Sequence, residues 1–259
     1  MWLLTRPESK AQIALFAATF AVVLAQHAIN LLNDAADWRL GADVEKWDSW
    51  VRFHDDKAEV AARHGWLSFA GSGLLGLTIL AWTDRLWILM IALPLVGLGY
   101  LYNSGRKPLS YTRLGEWVTA LCYGPGVFGC LWLVAGQEVG VSVVSGSIAF
   151  GCLAAALLLS HQPKQFNTDR RAGKQSFAVR FGVERTYQTV RVLFLVFFAA
   201  WGIALAASQP SPMALITCLI LSCMAFAGAF CKAPEPKYLL LSASALFAGM
   251  LVSLAVSQP

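Results

Sequence analysis

Charge is what this chain has least of. Only 14% of its 259 residues are charged, against 57% hydrophobic, and the mean hydropathy is +0.58. A soluble domain of this size carries nearer a quarter charged residues, so an integral membrane protein is implied. Paired cysteines are missing too. The six cysteines (Cys122, Cys130, Cys152, Cys218, Cys223, Cys231) form no CxxC and no metal-ligand spacing, which leaves them as small buried apolar residues. Residues 1–10 lack the basic, apolar, small-residue pattern of a cleavable signal peptide. Charge is also absent from the expected middle of each apolar run, which speaks against an alternating-access transporter.

Long apolar runs are what the chain has in their place. Runs of roughly the 20 residues that cross a bilayer fall at 11–31, 64–82, 86–102, 115–135, 140–160, 191–208, 211–231 and 237–257. The expected fold is all-α: a polytopic bundle of about eight transmembrane helices forming a single domain, 1–259. Most tryptophans, Trp66, Trp82, Trp87 and Trp117 among them, lie near span ends, as interfacial anchors do.

The charge that exists is one-sided. Of 20 basic residues, 17 follow the first, third, fifth or seventh run; only Arg6, Lys10 and Arg85 lie opposite. The positive-inside rule makes that face cytoplasmic and puts both termini outside, in a bacterial-type inner membrane. The acidic residues follow the basic ones, leaving only Glu8, Asp84 and Glu138 opposite. Acidic residues barely influence topology, so an active face accounts for their clustering. The net charge of +5 reflects topology and not a nucleic-acid partner.

The densest polar stretch is Asn30-Leu31-Leu32-Asn33-Asp34-Ala35-Ala36-Asp37-Trp38-Arg39-Leu40-Gly41-Ala42-Asp43. On a continuing helix Asn30, Asn33, Asp34 and Asp37 share one face. Hard oxygen ligands at a membrane helix mouth suit Mg²⁺, with substrate phosphates completing its shell; a solvated helix end is the plain alternative. Residues 44–63 carry Trp47, Trp50, Val51, His54, Ala58 and Ala61 at helical spacing, and predict an amphipathic surface helix, a lid or a mere connector. His54 and His64 within and beyond it are read as ordinary surface residues.

A second polar face is expected after the fifth run, where His161, Gln165 and Asp169 recur at i, i+4, i+8. Arg170 and Lys174, spaced i, i+4, are expected to point together at the helix mouth. The two halves share a plan of helix, polar motif, two helices, short basic Pro-containing loop and helix, so two pseudo-repeated four-helix halves are expected. Their site would lie at the interface between halves. Acid from one half and base from the other suit a metal-bound diphosphate.

Three motifs carry a resemblance. They are Asn33-Asp34-x-x-Asp37-x-x-x-Gly41-x-Asp43, Pro108-Leu109-x-Tyr111-x-x-Leu114-Gly115-Glu116, and Asp169-Arg170-Arg171-Ala172-Gly173-Lys174 running through Phe177-Ala178-Val179-Arg180 to Gly182. In order and spacing the chain resembles the UbiA-type membrane prenyltransferases, most of all the branch that prenylates 1,4-dihydroxy-2-naphthoate for menaquinone. The resemblance implies a helical bundle around a lateral cavity, Mg²⁺ between two Asp-rich motifs, a polyprenyl diphosphate donor, and an aromatic or lipid acceptor reached within membrane lipid. Residues and resemblance together give Asp34, Asp37, Asp169 and Lys174 as catalytic and Asn33, Asp34, Asp37, Asp43 and Asp169 as metal-binding. Substrate is expected at Asn30, Asn33, Arg39, Arg106, Lys107, Tyr111, His161, Lys164, Gln165 and Arg170.

Two departures stand out. The family's second motif is Asp-x-x-x-Asp, but its first position here is Gln165, preceded by Lys164, so one firmly held Mg²⁺ is expected. Family members usually have nine spans, and residues 1–10 read like a loop following a further helix. Besides a prenyltransferase, with a quinone precursor or another acceptor, the sequence leaves open a degenerate homologue that binds isoprenoid lipid without chemistry.

Overall fold

The computed structural model describes residues 9–42, 46–103 and 108–208, with Pro212 and Ile216. Its helices are α1 (Ser9–Leu40), α2 (Ala58–Trp82), α3 (Leu89–Asn103), α4 (Gly115–Leu121), α5 (Cys130–Val134), α6 (Val141–Arg171), α7 (Phe177–Phe181) and α8 (Val183–Ser208). The expected all-α membrane bundle is what forms. Six apolar helical segments among the described residues are long enough to cross a bilayer, and α4 and α5 belong to one of them, Gly115–Val134. The spans expected at 211–231 and 237–257 lie outside the described residues.

Helices α1 and α6 set the architecture. They hold 32 and 31 residues, about 45 Å each at 1.5 Å per residue, against a hydrocarbon core of about 30 Å. Each therefore projects its last turns, with the acidic motif, beyond the apolar stretch. Helix α1 packs along α2, and α6 along α8. Away from the acidic ends, Ala14, Ala18, Ile79, Leu80, Phe128, Trp132, Ala200 and Trp201 join one buried cluster.

Both long helices stop the same way. Gly41 has φ +81° and Gly173 φ +72°. After α1, Gly41 N–H donates to Trp38 O and Ala42 N–H to Asp37 O, at 3.2 and 2.9 Å. After α6, Gly173 N–H donates to Arg170 O and Lys174 N–H to Asp169 O, at 3.3 and 2.9 Å. This paired reverse bonding, with glycine in the left-handed region, is the Schellman stop. Asp37 and Asp169 thus occupy equivalent places, four residues before the glycine, in the two halves.

Two expectations are corrected. Residues 46–57 do not form an amphipathic helix: a 3₁₀ turn at Arg52–His54 is followed by Asp55 and Asp56 at φ 54° and 61°, and α2 begins only at Ala58. Left-handed residues cannot continue a right-handed helix. The fourth run is not a plain helix either. Cys122–Gly129, holding Pro125, is a π-helical turn between α4 and α5. Its small residues allow close contact with α6: a Cβ on Gly124 would lie 2.4 Å from Ser147 O, and one on Gly146 would meet the Phe128 ring at 2.2 Å.

Candidate active site at the meeting of two acidic helix ends

The ends of α1 and α6 face one another across the Lys174 side chain. Its Nζ donates to Asp37 Oδ2 at 3.1 Å and lies 3.9 Å from Asp169 Oδ1. It also sits 5.1 Å from the centroid of the buried Tyr111 ring. Burial works to lower the Lys174 pKa, but the facing carboxylates of Asp37 and Asp169 outweigh it and hold the ammonium above its usual value. The expected pairing of Lys174 with Arg170 does not form. Helix α6 has ended and Gly173 has reversed the chain, so Lys174 turns back over Asp169 while Arg170 stays exposed.

Asp37 and Asp169 are 2% and 3% exposed. Asn33 Nδ2 donates to Asp37 Oδ2 at 3.0 Å, whereas Asp37 Oδ1 is buried with no hydrogen-bond partner. Asp169 Oδ2 accepts from Ser176 Oγ at 2.8 Å. Ser176 holds the N-cap position of α7 but does not cap it. The helix's first N–H groups go to neighbours: Phe177 N–H to Glu116 Oε1 at 2.7 Å and Ala178 N–H to Gln162 Oε1 at 3.1 Å. Gln162 Nε2 also donates to Glu116, at 3.0 Å, and Arg180 pairs with the other Glu116 oxygen at 3.5 Å. Gln175 N–H bonds to Tyr111 O. The short segment carrying Lys174 is therefore fastened at both ends.

Asp34 is differently engaged. Lys46 Nζ donates to its Oδ1 at 3.0 Å and the Trp50 N–H to its Oδ2 at 2.6 Å. Val51, fully buried against Leu31, Ala35, Ala58 and Ala61, seats the loop that supplies both donors.

Asn33, Asp37, Lys46, Tyr102, Glu116, Gln162, Gln165, Asp169, Lys174 and Ser176 line one polar cavity of about 80 Å³. Ligand pockets begin at roughly 300 Å³, so this cavity is small, its space taken up by its own ion pairs. A family model, the UbiA prenyltransferase family, matches residues 1–248. The chain belongs to that family. Its relatives include a 1,4-dihydroxy-2-naphthoate octaprenyltransferase of Bacillus subtilis, 25% identical over 79% of this chain and 73% of the relative. A 2-carboxy-1,4-naphthoquinone phytyltransferase of Synechocystis is 30% identical, over 68% of this chain and 57% of the relative. A second octaprenyltransferase, from Mycobacterium tuberculosis, is 28% identical over 78% and 67%. No solved structure matches. The family and naphthoate branch that the motifs resemble are thus those of its relatives.

The UbiA-type site expected from the motifs is only partly assembled as a cavity. Asn33, Asp37, Gln165, Asp169 and Lys174 line it, with Tyr111 beneath Lys174. Asn30, Arg39, His161, Lys164 and Arg170 are exposed and outside the lining. Asp43, Arg106 and Lys107 lie outside the described residues. The expected face of His161, Gln165 and Asp169 is in fact Leu158, Gln162, Gln165 and Asp169. Steps of four, three and four stay on one side of a helix, whereas steps of four alone drift about 40° each. Glu116, Gln162, Lys46 and Ser176 were not among the expected site residues. Glu116 stands inside a quoted motif and Gln162 on the corrected face, so both left a signal. Lys46 and Ser176 left none.

Oxygen donors of the right kind for Mg²⁺ are present, and the orphaned Asp37 Oδ1 beside Asn33 is one that a cation would satisfy. Among the described residues, however, no three acidic or imidazole side chains are gathered as a metal cluster. Asp34 and Asp37 each have a lysine ammonium as cation instead.

Proposed function

We propose that this chain transfers a prenyl group from a polyprenyl diphosphate to an aromatic acceptor of the naphthoate class, inside the membrane and dependent on Mg²⁺. The observation that carries the reading is the convergence of Asp37 and Asp169, from equivalent helix ends of two halves, on one buried ammonium with an unpartnered carboxylate oxygen beside it. A site of balanced acid and base is what a metal-bound diphosphate needs. Family membership and the naphthoate substrates in the relatives' names support the reaction and the acceptor class.

Asn33, Asp34, Asp37 and Asp169 would hold the metal, with Gln165 a neutral donor beside them. When bound, Mg²⁺ supplies positive charge to the departing diphosphate oxygens. Lys174, beside Asp37 and Asp169, would add its ammonium to the same oxygens, and the Tyr111 ring supports that ammonium. Heterolysis of the allylic C–O bond leaves the electron pair on diphosphate; an acceptor ring carbon then donates to the cation and sheds its proton. Leu158, on the cavity wall, and the apolar membrane stretches behind the site would keep water from the cation. The basic-residue asymmetry supports a cytoplasmic active face.

The test is incubation of the purified protein with geranyl diphosphate, a panel of hydroxylated naphthoates and benzoates, and Mg²⁺ or chelator. Metal-dependent prenylated product is expected. Gln165 in place of a carboxylate favours a second reading, an isoprenoid-lipid binder. Tight diphosphate binding with no diphosphate release would select it.

A further inference from the structure

Lys46 belongs to neither the acidic motif nor the basic cluster that follows α6, yet it lines the same cavity as Lys174. We propose that Lys46 is a diphosphate-binding residue, held on Asp34 in the free protein and released to the phosphate oxygens when a divalent cation takes that carboxylate. The inference rests on the prenyltransferase reading and assigns a residue and an order of events within it.

The argument is one of counterions. Asp34 is 4% exposed, and a carboxylate so buried requires a cation or a dense set of donors. Here it has the Lys46 ammonium at 3.0 Å and one backbone N–H at 2.6 Å. A dication arriving at Asp34 meets that ammonium at contact distance, and two positive charges so close repel strongly. Metal and ammonium are therefore alternative occupants. The backbone donor has no such conflict, because Trp50 N–H can stay while a metal takes the other oxygen.

Geometry decides where the ammonium goes. The loop is fixed by Val51, fully buried under α1 and α2, so Lys46 stays tethered at the cavity rim. Its side chain is 32% exposed where Lys174 is 13% exposed, so it is the less enclosed of the two. The cavity of about 80 Å³ must widen to admit a diphosphate. Parting Lys46 from Asp34 does so at the rim and leaves an ammonium facing the incoming anion. Metal and diphosphate then enter as an exchange of ion pairs, and neither leaves a buried charge bare.

The signature is a pair of opposite shifts, which a merely structural lysine does not give. The full chain in detergent is titrated with Mn²⁺ alone, followed by electron paramagnetic resonance, and with inorganic pyrophosphate at saturating Mn²⁺, followed by calorimetry. In Lys46→Met, Mn²⁺ alone is expected to bind about fivefold more tightly, the scale of one partly exposed ion pair. Pyrophosphate is expected to bind about tenfold more weakly, the scale of one charge-assisted contact. Lys46→Arg should stay near wild type in both. If Lys46→Met does not fold, Lys46→Gln, whose amide still donates to Asp34, carries the same comparison. Shifts in the same direction, or no shift in either, overturn the proposal. Asp37→Asn is the control for the broader reading: if it binds Mn²⁺ as wild type does, the metal assignment fails, whatever Lys46 does.

Discussion

At the scale of single residues, Asp37 concentrates the site's unsatisfied chemistry. One oxygen takes bonds from Asn33 and Lys174 while the other is buried with none. Desolvation without a partner costs roughly 1–3 kcal/mol, and a bound cation removes that cost. Asp37→Asn keeps the shape and removes the charge, so turnover should fall at least about a hundredfold, the scale for losing transition-state electrostatics, while helical circular dichroism stays unchanged. Gln165 is the complementary case. It lines the cavity one turn before Asp169, and Gln165→Asp restores a carboxylate, so half-maximal activity should come at lower Mg²⁺. Two tightly bound Mg²⁺ per wild-type chain with substrate would contradict that account. Sequence reading found Asp34, Asp37 and Asp169 because carboxylates near membrane depth are rare and stand out. It took His161 and not Gln162 because it followed uniform steps of four back from Asp169, although only Gln162 keeps the helical step to Asp169.

At the scale of elements, the repeated stop after Asp37 and Asp169 turns a local backbone rule into site geometry. Gly173 lets Lys174 cap the Asp169 carbonyl with its N–H and reach Asp37 with its ammonium. An added Cβ at Gly173 meets nothing within 4 Å, so the left-handed φ of +72° is the only obstacle to a side chain. Gly173→Ala should therefore cost about 1–2 kcal/mol and lower activity through a misplaced Lys174. Gly173→Asn, which tolerates that region better, should retain more of both in parallel melting and turnover assays. The length of the apolar runs made the membrane helices legible. Periodicity misled over residues 46–57, where apolar residues at helical spacing coexist with Asp55 and Asp56 in left-handed conformations. Nothing in that spacing shows that Trp50 and Lys46 are drawn onto Asp34, because the partner lies on another element.

At the scale of the whole molecule, Lys174 joins the halves. Its ammonium, on the chain after α6, pairs with Asp37 near the end of α1 and lies near Asp169 of its own half. Breaking a buried pair by removing one partner costs about 3–5 kcal/mol, so Lys174→Met should melt well below wild type in detergent at neutral pH. The pH dependence of that gap separates charge from packing. The Lys174 pKa is raised above its usual 10.5: burial lowers it, but Asp37 and Asp169 raise it by more. A group whose folded pKa is raised stabilises fully below its unfolded pKa and loses that stabilisation as pH climbs through the folded value. The gap in melting temperature between wild type and Lys174→Met should therefore hold steady from neutral pH to near 10 and close only above 10.5. A gap that narrowed between pH 7 and 9 would mean that the ammonium is not held by those carboxylates, and that the two halves are joined by packing alone.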